Sequence, residues 1–515
     1  MTTRSWRVAS EQPATVAVVG VGTMGAGIAQ IAAQAGHVVR LFDVRDGAAV
    51  AAKKSITDTL DKLAAKGKLT ADDARATGER LVVADALEAL ADAALVVEVI
   101  VEDAEIKRAL FRQLEGLVAD DAILATNTSS LSVTALARGL AHPERLVGMH
   151  FFNPVPLMRL VEVVQGALTD ASAAEAVATV ARRWGKTPIA ARSTPGFVVN
   201  RIARPFYAES LFLLRDGFAT PSQVDGALRA AGFKMGPCEL MDLIGHDVNY
   251  AVTTQMHQAF SGDPRFVPSL VQKDLVDGGL LGRKSGRGFY VYEGGAKRDE
   301  PLASPVADAT ALPTAVTVAG RGPLADRLHS RLATAGIAVE HVNAEAHELH
   351  LTLPTGELWL TDGRPAAQIA SERGVAEVAV FDLPLAEQGG ALAVAFAHGA
   401  SPEHEAAVTA LLTSAGHHVV RVGDAPGLVV MRTIAMLINE AQDTVAQGTC
   451  TEQAADLAMK LGTNYPAGPF EWLHLLGAPR VTRVLAHLHA LDGTGRYRTS
   501  PDLVRRLWRD ARPAT

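Results

Sequence analysis

The stretch MHFFNPVPLMRLVEVV, residues 149–164, contains one histidine, His150, and one carboxylate, Glu162. Its flanks, RLVGMHFF and LMRLVEVV, alternate and cluster apolar residues as strands do, and Asn153, Pro154 and Pro156 interrupt them as a turn would. Two strands joined there would bring His150 and Glu162 side by side. A carboxylate on one imidazole nitrogen fixes the tautomer and offsets the charge that develops when the other nitrogen takes a proton. In isolation the pair fits a satisfied buried histidine better than a general base. The surrounding elements decide between the two.

Upstream, a short apolar strand from Ala14 to Val19 runs into GVGTMG, with Gly20, Gly22 and Gly25, then into an alanine-rich amphipathic stretch that stops at Gly36. A second strand, VVRLFD, ends on Asp43. Strand, glycine turn, helix, strand and acid, in that order, make a dinucleotide site. The glycines admit a pyrophosphate to the helix N-terminus, and the acid takes ribose hydroxyls. Asp43 would repel a 2′-phosphate, which favours NAD over NADP, although Arg45 nearby counts the other way.

Further apolar strands, RLVVAD, ALVVEVIVED and AILATNTS, alternate with helix-like segments, the pattern of a largely parallel, doubly wound sheet. Ligands bind beyond the carboxyl ends of such strands. That places Asn127, Ser129 and Ser130 at the cleft, although such residues are also frequent helix caps. Glu98, Glu102 and Lys107 are expected to begin the helix after the fourth strand, facing the nicotinamide half of the cleft. Lys53, Lys54, Lys62, Lys66 and Lys68 lie on and just beyond a helical stretch. A solvated helix face and a phosphate-binding surface for a large substrate carrier fit them equally well.

Five ordered motifs, GVGTMGAGIAQ, VVEVIVEDAEIKRALF, TNTSSL, HFFNPVPLMRLVEVV and STPGFVVNR, resemble those of the L-3-hydroxyacyl-CoA dehydrogenases. The resemblance implies an NAD-dependent oxidoreductase acting on an acyl-coenzyme A thioester. It implies a catalytic pair at His150 and Glu162, with Ser129 and Asn200 on the substrate oxygen. Cofactor contacts are implied at Gly20, Gly22, Thr23, Met24, Gly25, Asp43, Glu102, Lys107, Asn127, Ser129, Asn153 and Lys284. Coenzyme A contacts are implied at Thr59 and Lys66, where Thr59 replaces the serine of some relatives and keeps a hydroxyl. Phrases such as NRIARPF, IGHDVNYAV and PSLVQ resemble the branch that oxidises 3-hydroxyadipyl-CoA in bacterial phenylacetate degradation. A substrate ending in a carboxylate needs a cation, and Arg204, four residues after Asn200, is the candidate. The alternatives are a 3-hydroxybutyryl-CoA or general β-oxidation dehydrogenase and, more remotely, a non-catalytic NAD-binding structural protein.

After Pro195 the sequence turns helical, and beyond a Gly-, Pro- and charge-rich linker it repeats itself. DAPGLVVMRTIAMLINEAQDTVAQG echoes STPGFVVNRIARPFYAESLFLLRDG, and TVAGRGPLADRLHSRLATAG echoes AVVGVGTMGAGIAQIAAQAG. Ala325 answers Gly25, Met431 answers Asn200, about Asn343 answers Asp43, and TNTSS and HFFNP find no counterpart. The expected fold is a Rossmann-type α/β domain (1–192) and an all-α C-terminal domain that carries the dimer interface in relatives (193–293). A linker (294–312), a degenerate Rossmann-like remnant (313–423) and a second, non-catalytic helical domain (424–515) follow. The second half is expected to pack on the first as an internal pseudo-partner, leaving a homodimer open.

Composition narrows the rest. At 515 residues the chain exceeds a single core, and 48% hydrophobic with 20% charged residues is ordinary for a globular protein. A formal net charge of −7 argues against nucleic acid or an anionic membrane as main partner. Two distant cysteines and the absence of any long apolar run lead to an expected cytoplasmic protein with neither disulfides nor a metal site.

Overall fold

Short apolar strands alternating with helices build the first sheet. In the computed structural model, which describes residues 5–10, 13–298, 302, 305–342, 348–385 and 389–510, these strands are β1 (Val16–Val19), β2 (Val39–Phe42), β3 (Leu81–Val83), β4 (Leu95–Glu98), β5 (Ile123–Thr126), β6 (Leu146–Phe151), β7 (Leu160–Gln165) and β8 (Thr187–Arg192). They lie in the order β3-β2-β1-β4-β5-β6-β7-β8. All neighbours run parallel except β6 and β7, which are antiparallel. Helices cover both faces, so β1, β4 and β5 are buried throughout and read as unbroken apolar runs. The order reverses between β1 and β4, which opens a crevice at their carboxyl ends. Glu98 is the last residue of β4, and the next helix begins only at Ala104, capped by Asp103. The expected helix start at Glu98 is therefore corrected: a carboxylate ending a strand stays buried at the crevice.

The chain divides into two compact units that do not follow its linear order. One comprises residues 1–201 with 447–463, and the other comprises 202–446 with 464–515. In the first unit, the helix Glu452–Gly462 packs on β7 and β8. The Arg192 N–H there donates to the Thr449 carbonyl at 2.9 Å.

The second unit has the long helix Val430–Ala446 at its centre, with fifteen buried residues. Buried charge ties the two helical repeats together. Glu209 accepts from Arg432 Nε at 3.1 Å and Arg496 Nη2 at 2.7 Å, and Arg265 pairs with Glu440 at 2.9 Å and Asp443 at 2.6 Å. The second sheet, seven strands among the described residues, mixes parallel and antiparallel pairs. The helix Pro221–Ala230 packs on its strand Ala391–Phe396, and the Gly423 N–H donates to the Phe218 carbonyl at 2.7 Å. Arg192 and Gly423 stand at the same place before the repeated PG turn, so each unit contains the same strand-end link.

The register also locates what the sequence repeat missed. Val163 pairs with Ala190, and Val394 pairs with Arg421, each pair the same distance before the PG turn. His150 faces Glu162 across β6 and β7. Phe381 faces Val394 in the second sheet, and the next residue, Asp382, bonds to Ala393. Asp382 and Ala393 thus occupy the places of His150 and Glu162, which corrects the expectation that HFFNP has no counterpart. Asn343 lies outside the described residues. No described helix is long and apolar enough to cross a membrane.

Candidate active site

At the crevice, the glycine turn is shaped by what it cannot hold. Gly20 has a φ of +92°, and a Cβ there would lie 2.7 Å from the Val99 carbonyl oxygen. A Cβ on Gly25 would come within 1.9 Å of the Gly20 oxygen, whereas Gly22 has nothing within 4 Å. Tight closure at two positions and open space at the third form the cradle a pyrophosphate needs at the N-terminus of the helix Thr23–Gln34. Asp43, at the end of β2, accepts from the Val21 N–H at 3.0 Å and from the Arg45 guanidinium at 2.9 Å. The Arg45 hydrogen bond holds the Asp43 carboxyl down at about 2, so it is ionised.

A cleft of about 510 Å³ follows, lined by Gly22, Thr23, Met24 and Gly25 on one side and by Glu102, Lys107, Asn127, Ser129, His150, Asn153 and Asn200 on the other. His150 Nδ1 lies 2.6 Å from Glu162 Oε2, and both residues are buried. With the carboxylate accepting, the hydrogen sits on Nδ1, leaving the Nε2 lone pair free to take a proton. Glu162 Oε1 accepts the Val198 and Val199 N–H groups at 3.0 Å each. Those N–H groups are aimed by Phe197, a non-glycine residue held at φ +47°. The next residue, Asn200, lies in the one-turn helix Val199–Ile202.

The TNTSS loop is fastened to Glu102, which accepts from the Thr128 hydroxyl at 2.7 Å, from the Ser129 and Ser130 N–H groups and from the Ser130 hydroxyl. Burial alone would raise the Glu102 pKa, but the Thr128 hydroxyl and the Lys107 charge hold it below the ordinary value. Lys107 is buried between Glu98, 2.6 Å away, and Glu102, 3.2 Å away. Asn127 Oδ1 accepts the Phe151 N–H at 2.9 Å and so fixes the strand beside His150.

The other expected site residues do not line this cleft. Gly20 opens the glycine turn, and Asp43 holds the turn through the Val21 N–H. Thr59 is exposed and donates to the Ser55 carbonyl at 2.8 Å, and Lys66 is exposed at the end of the same helix, Ala48–Ala65. Lys284 and Arg204 belong to the second unit. Lys284 Nζ is bound to Asp247, 2.5 Å from Oδ1. Arg204 is buried, donates to Thr253 Oγ1 at 3.2 Å and stacks over Tyr207, and burial lowers its pKa.

Four residues at the site went unread in the sequence. Phe152 and Phe197 pack against the His150 ring at centroid distances of 4.6 and 5.8 Å. Thr128 anchors the TNTSS loop. Lys186 donates to the Val155 carbonyl at 2.5 Å and the Met158 carbonyl at 2.8 Å, pinning the β6–β7 connection. Phe152 and Phe197 stand inside motifs already singled out. Lys186 has no sequence signal, because its partners are backbone atoms far away in the chain.

Sheet order, glycine cradle, ionised Asp43 and a buried histidine–carboxylate pair define an NAD-dependent dehydrogenase. Comparison with known proteins gives the family. Residues 15–194 match the NAD-binding domain of 3-hydroxyacyl-CoA dehydrogenase, and residues 196–292 and 427–513 both match its C-terminal domain. Residues 358–426 match the reduced Rossmann-fold domain of 3-hydroxybutyryl-CoA dehydrogenase. The chain is 41% identical to the 3-hydroxyadipyl-CoA dehydrogenase of Escherichia coli K12 over 94% of this chain and 95% of that one. It is 38% identical to the human mitochondrial hydroxyacyl-coenzyme A dehydrogenase over 54% of this chain and 91% of that one. A crystal structure of 3-hydroxybutyryl-CoA dehydrogenase from E. coli K12 superposes with a TM-score of 0.88 at 39% identity, covering 97% of this chain and 99% of that one. The chain belongs to the 3-hydroxyacyl-CoA dehydrogenase family and is an NAD-dependent oxidoreductase acting on 3-hydroxyacyl-CoA.

Proposed function

We propose that the chain oxidises a (3S)-3-hydroxyacyl-CoA to the 3-oxoacyl-CoA at the cleft beside β6 and β7, and that 3-hydroxyadipyl-CoA is its substrate. The observation that carries the chemistry is the 2.6 Å bond between His150 Nδ1 and Glu162, which leaves Nε2 as the base. The substrate's 3-hydroxyl lies between Ser129, Asn200 and His150. His150 Nε2 takes the hydroxyl proton as the C3–O bond becomes a carbonyl, and Glu162 offsets the imidazolium charge. NAD, when bound, accepts the hydride that leaves C3. Gly20, Gly22, Thr23, Met24 and Gly25 hold its pyrophosphate and Asp43 its ribose, with Glu102, Lys107, Asn127 and Asn153 completing the contacts. Thr59 and Lys66 meet the coenzyme A phosphates.

The acyl group rests on the relatives and on Arg204, a cation four residues after Asn200 in the chain. The relative named for 3-hydroxyadipyl-CoA matches nearly the whole chain. A 3-hydroxybutyryl substrate is the second reading, favoured by the name of the superposed crystal structure. Initial rates with both thioesters, each with NAD and with NADP, separate the two readings. Arg204→Ala should lower kcat/KM for the adipyl thioester about 10–100-fold and leave the butyryl thioester nearly unchanged. Equal losses on both would reject the role of Arg204. Along the chain we retain the domain order 1–192, 193–293, 294–312, 313–423 and 424–515. We also propose that the second half acts as an internal pseudo-partner, in a cytoplasmic protein that can still pair as a homodimer.

A further inference from the structure

Residues 447–463 come from the second repeat, yet they belong to the same compact unit as the cleft. They touch the chain on both sides of Asn200. On one side, Gly462 sits so close that a Cβ would lie 2.7 Å from Leu160 Cδ2 and 3.1 Å from Val199 Cγ2. Leu160 opens β7, two residues before Glu162, and the Val199 N–H is one of the donors to Glu162. On the other side, Gln447 Oε1 accepts from Arg201 Nη1 at 2.9 Å, and Arg201 is fully buried. Between these points the Thr449 carbonyl accepts from the Arg192 N–H, and the Thr449 and Thr194 hydroxyl oxygens lie 3.2 Å apart. Cys450, next in the chain, lies in the field of both Glu162 and Arg201. Burial and then the Glu162 charge push its thiol up to about 12, so it stays neutral.

Asn200 lies in the turn Val199–Ile202, which runs through Ala203, itself in the αR conformation, into the helix Arg204–Arg215. The start of that turn is tied to Glu162 through the Val199 N–H and to residues 447–463 through Val199 and Arg201. We propose that this strip of the second repeat is a positioning element for the active site, and that Gln447, through Arg201, is a positioning residue for Asn200 and Glu162. This rests on the roles given above to Asn200 and Glu162. The half of the chain that lacks the chemistry then sets the geometry of the half that has it.

The test uses the full chain with Gln447→Met, which keeps the length and removes the acceptor, and Gln447→Glu, which restores it. Gln447 is exposed apart from this bond, so neither change opens a cavity. Unsubstituted chain that forms no NADH from any 3-hydroxyacyl-CoA would reject the underlying reading together with this proposal. Given activity, Gln447→Met should lower kcat about 10-fold while KM for NAD stays within about 2-fold, since small misplacements act on the chemical step. Gln447→Glu should recover most of that loss, with all rates read at temperatures where the melting curve of each variant shows it fully folded. Gly462→Ala, which presses on Leu160 and Val199, should lower kcat in the same way. An unchanged kcat in Gln447→Met, an equal loss in Met and Glu variants, or a loss explained by a lower melting temperature would each overturn the proposal.

Discussion

His150 and Glu162 in the first sheet stand where Asp382 and Ala393 stand in the second. In both sheets a carboxylate accepts backbone N–H groups from the turn after PG. Glu162 takes those of Val198 and Val199, and Asp382 takes those of Val429, Val430 and Met431. Both turns carry a non-glycine residue at positive φ, Phe197 at +47° and Leu428 at +50°. The difference is the imidazole. Asp382 reaches the turn directly from the strand that elsewhere holds His150, so the turn is fastened with no base in place. Holding the turn is thus separable from holding a histidine, and in the first copy Glu162 does both. The second sheet keeps a further task, as the platform for the helix Pro221–Ala230.

The largest effect that sharpens this contrast should come from the glycine cradle. Gly25→Ala puts a methyl on the Gly20 oxygen and should weaken NADH binding, read by fluorescence titration, by at least about 100-fold. Its opposite, Ala325→Gly, should cost only about 1 kcal/mol of stability as a helix-interior glycine and leave turnover unchanged. Glu162→Gln comes next. It loses the anion behind the imidazole, and kcat should fall about 10²–10⁴-fold in steady-state assays. Its melting temperature should fall as well, because the turn loses a charged acceptor. A normal melting temperature would break the claim of a double role.

Asp382→Ala should cost stability without chemistry. It strands backbone donors in a fully buried place, and denaturant melts should show a loss of about 3 kcal/mol with kcat per folded chain unaltered. The same carboxyl also sets a pH slope, spread over about two pH units. Burial raises the Asp382 carboxyl to about 6 in the folded chain, against an ordinary value near 3.8. The folded state then binds the proton more tightly, so this group's contribution to stability is full below about 4 and falls as pH rises through about 6. The stability difference between the unsubstituted chain and Asp382→Asn should shift by on the order of 3 kcal/mol across that window. A flat difference would contradict the burial argument.

Much of the first unit was legible in the sequence because its signals are local. A strand, a glycine turn and Asp43 announce the cradle, and two apolar strands around FNP announce the hairpin that sets His150 against Glu162. What stayed hidden depends on contacts between distant residues. Lys107 reads as a cleft cation, but Glu98 and Glu102 enclose it. Arg204 and Asn200, one turn apart in the chain, fall in different compact units. Asp382 shares no residue type with His150, so only the ladder register reveals that the two positions correspond. The placement of residues 447–463 beside β7 and β8 follows from packing that no periodicity encodes.

The central claim is that the chain has one active site, in its first copy, with His150 as the base. The direct test is the initial rate of NADH formation from a (3S)-3-hydroxyacyl-CoA by His150→Gln, alongside its NADH affinity. A fall in kcat of about 10²–10⁴-fold with NADH affinity unchanged is the predicted result. Retention of about half the activity would mean that the second copy also turns over, and an unchanged kcat would mean that His150 is not the base; either would contradict the account.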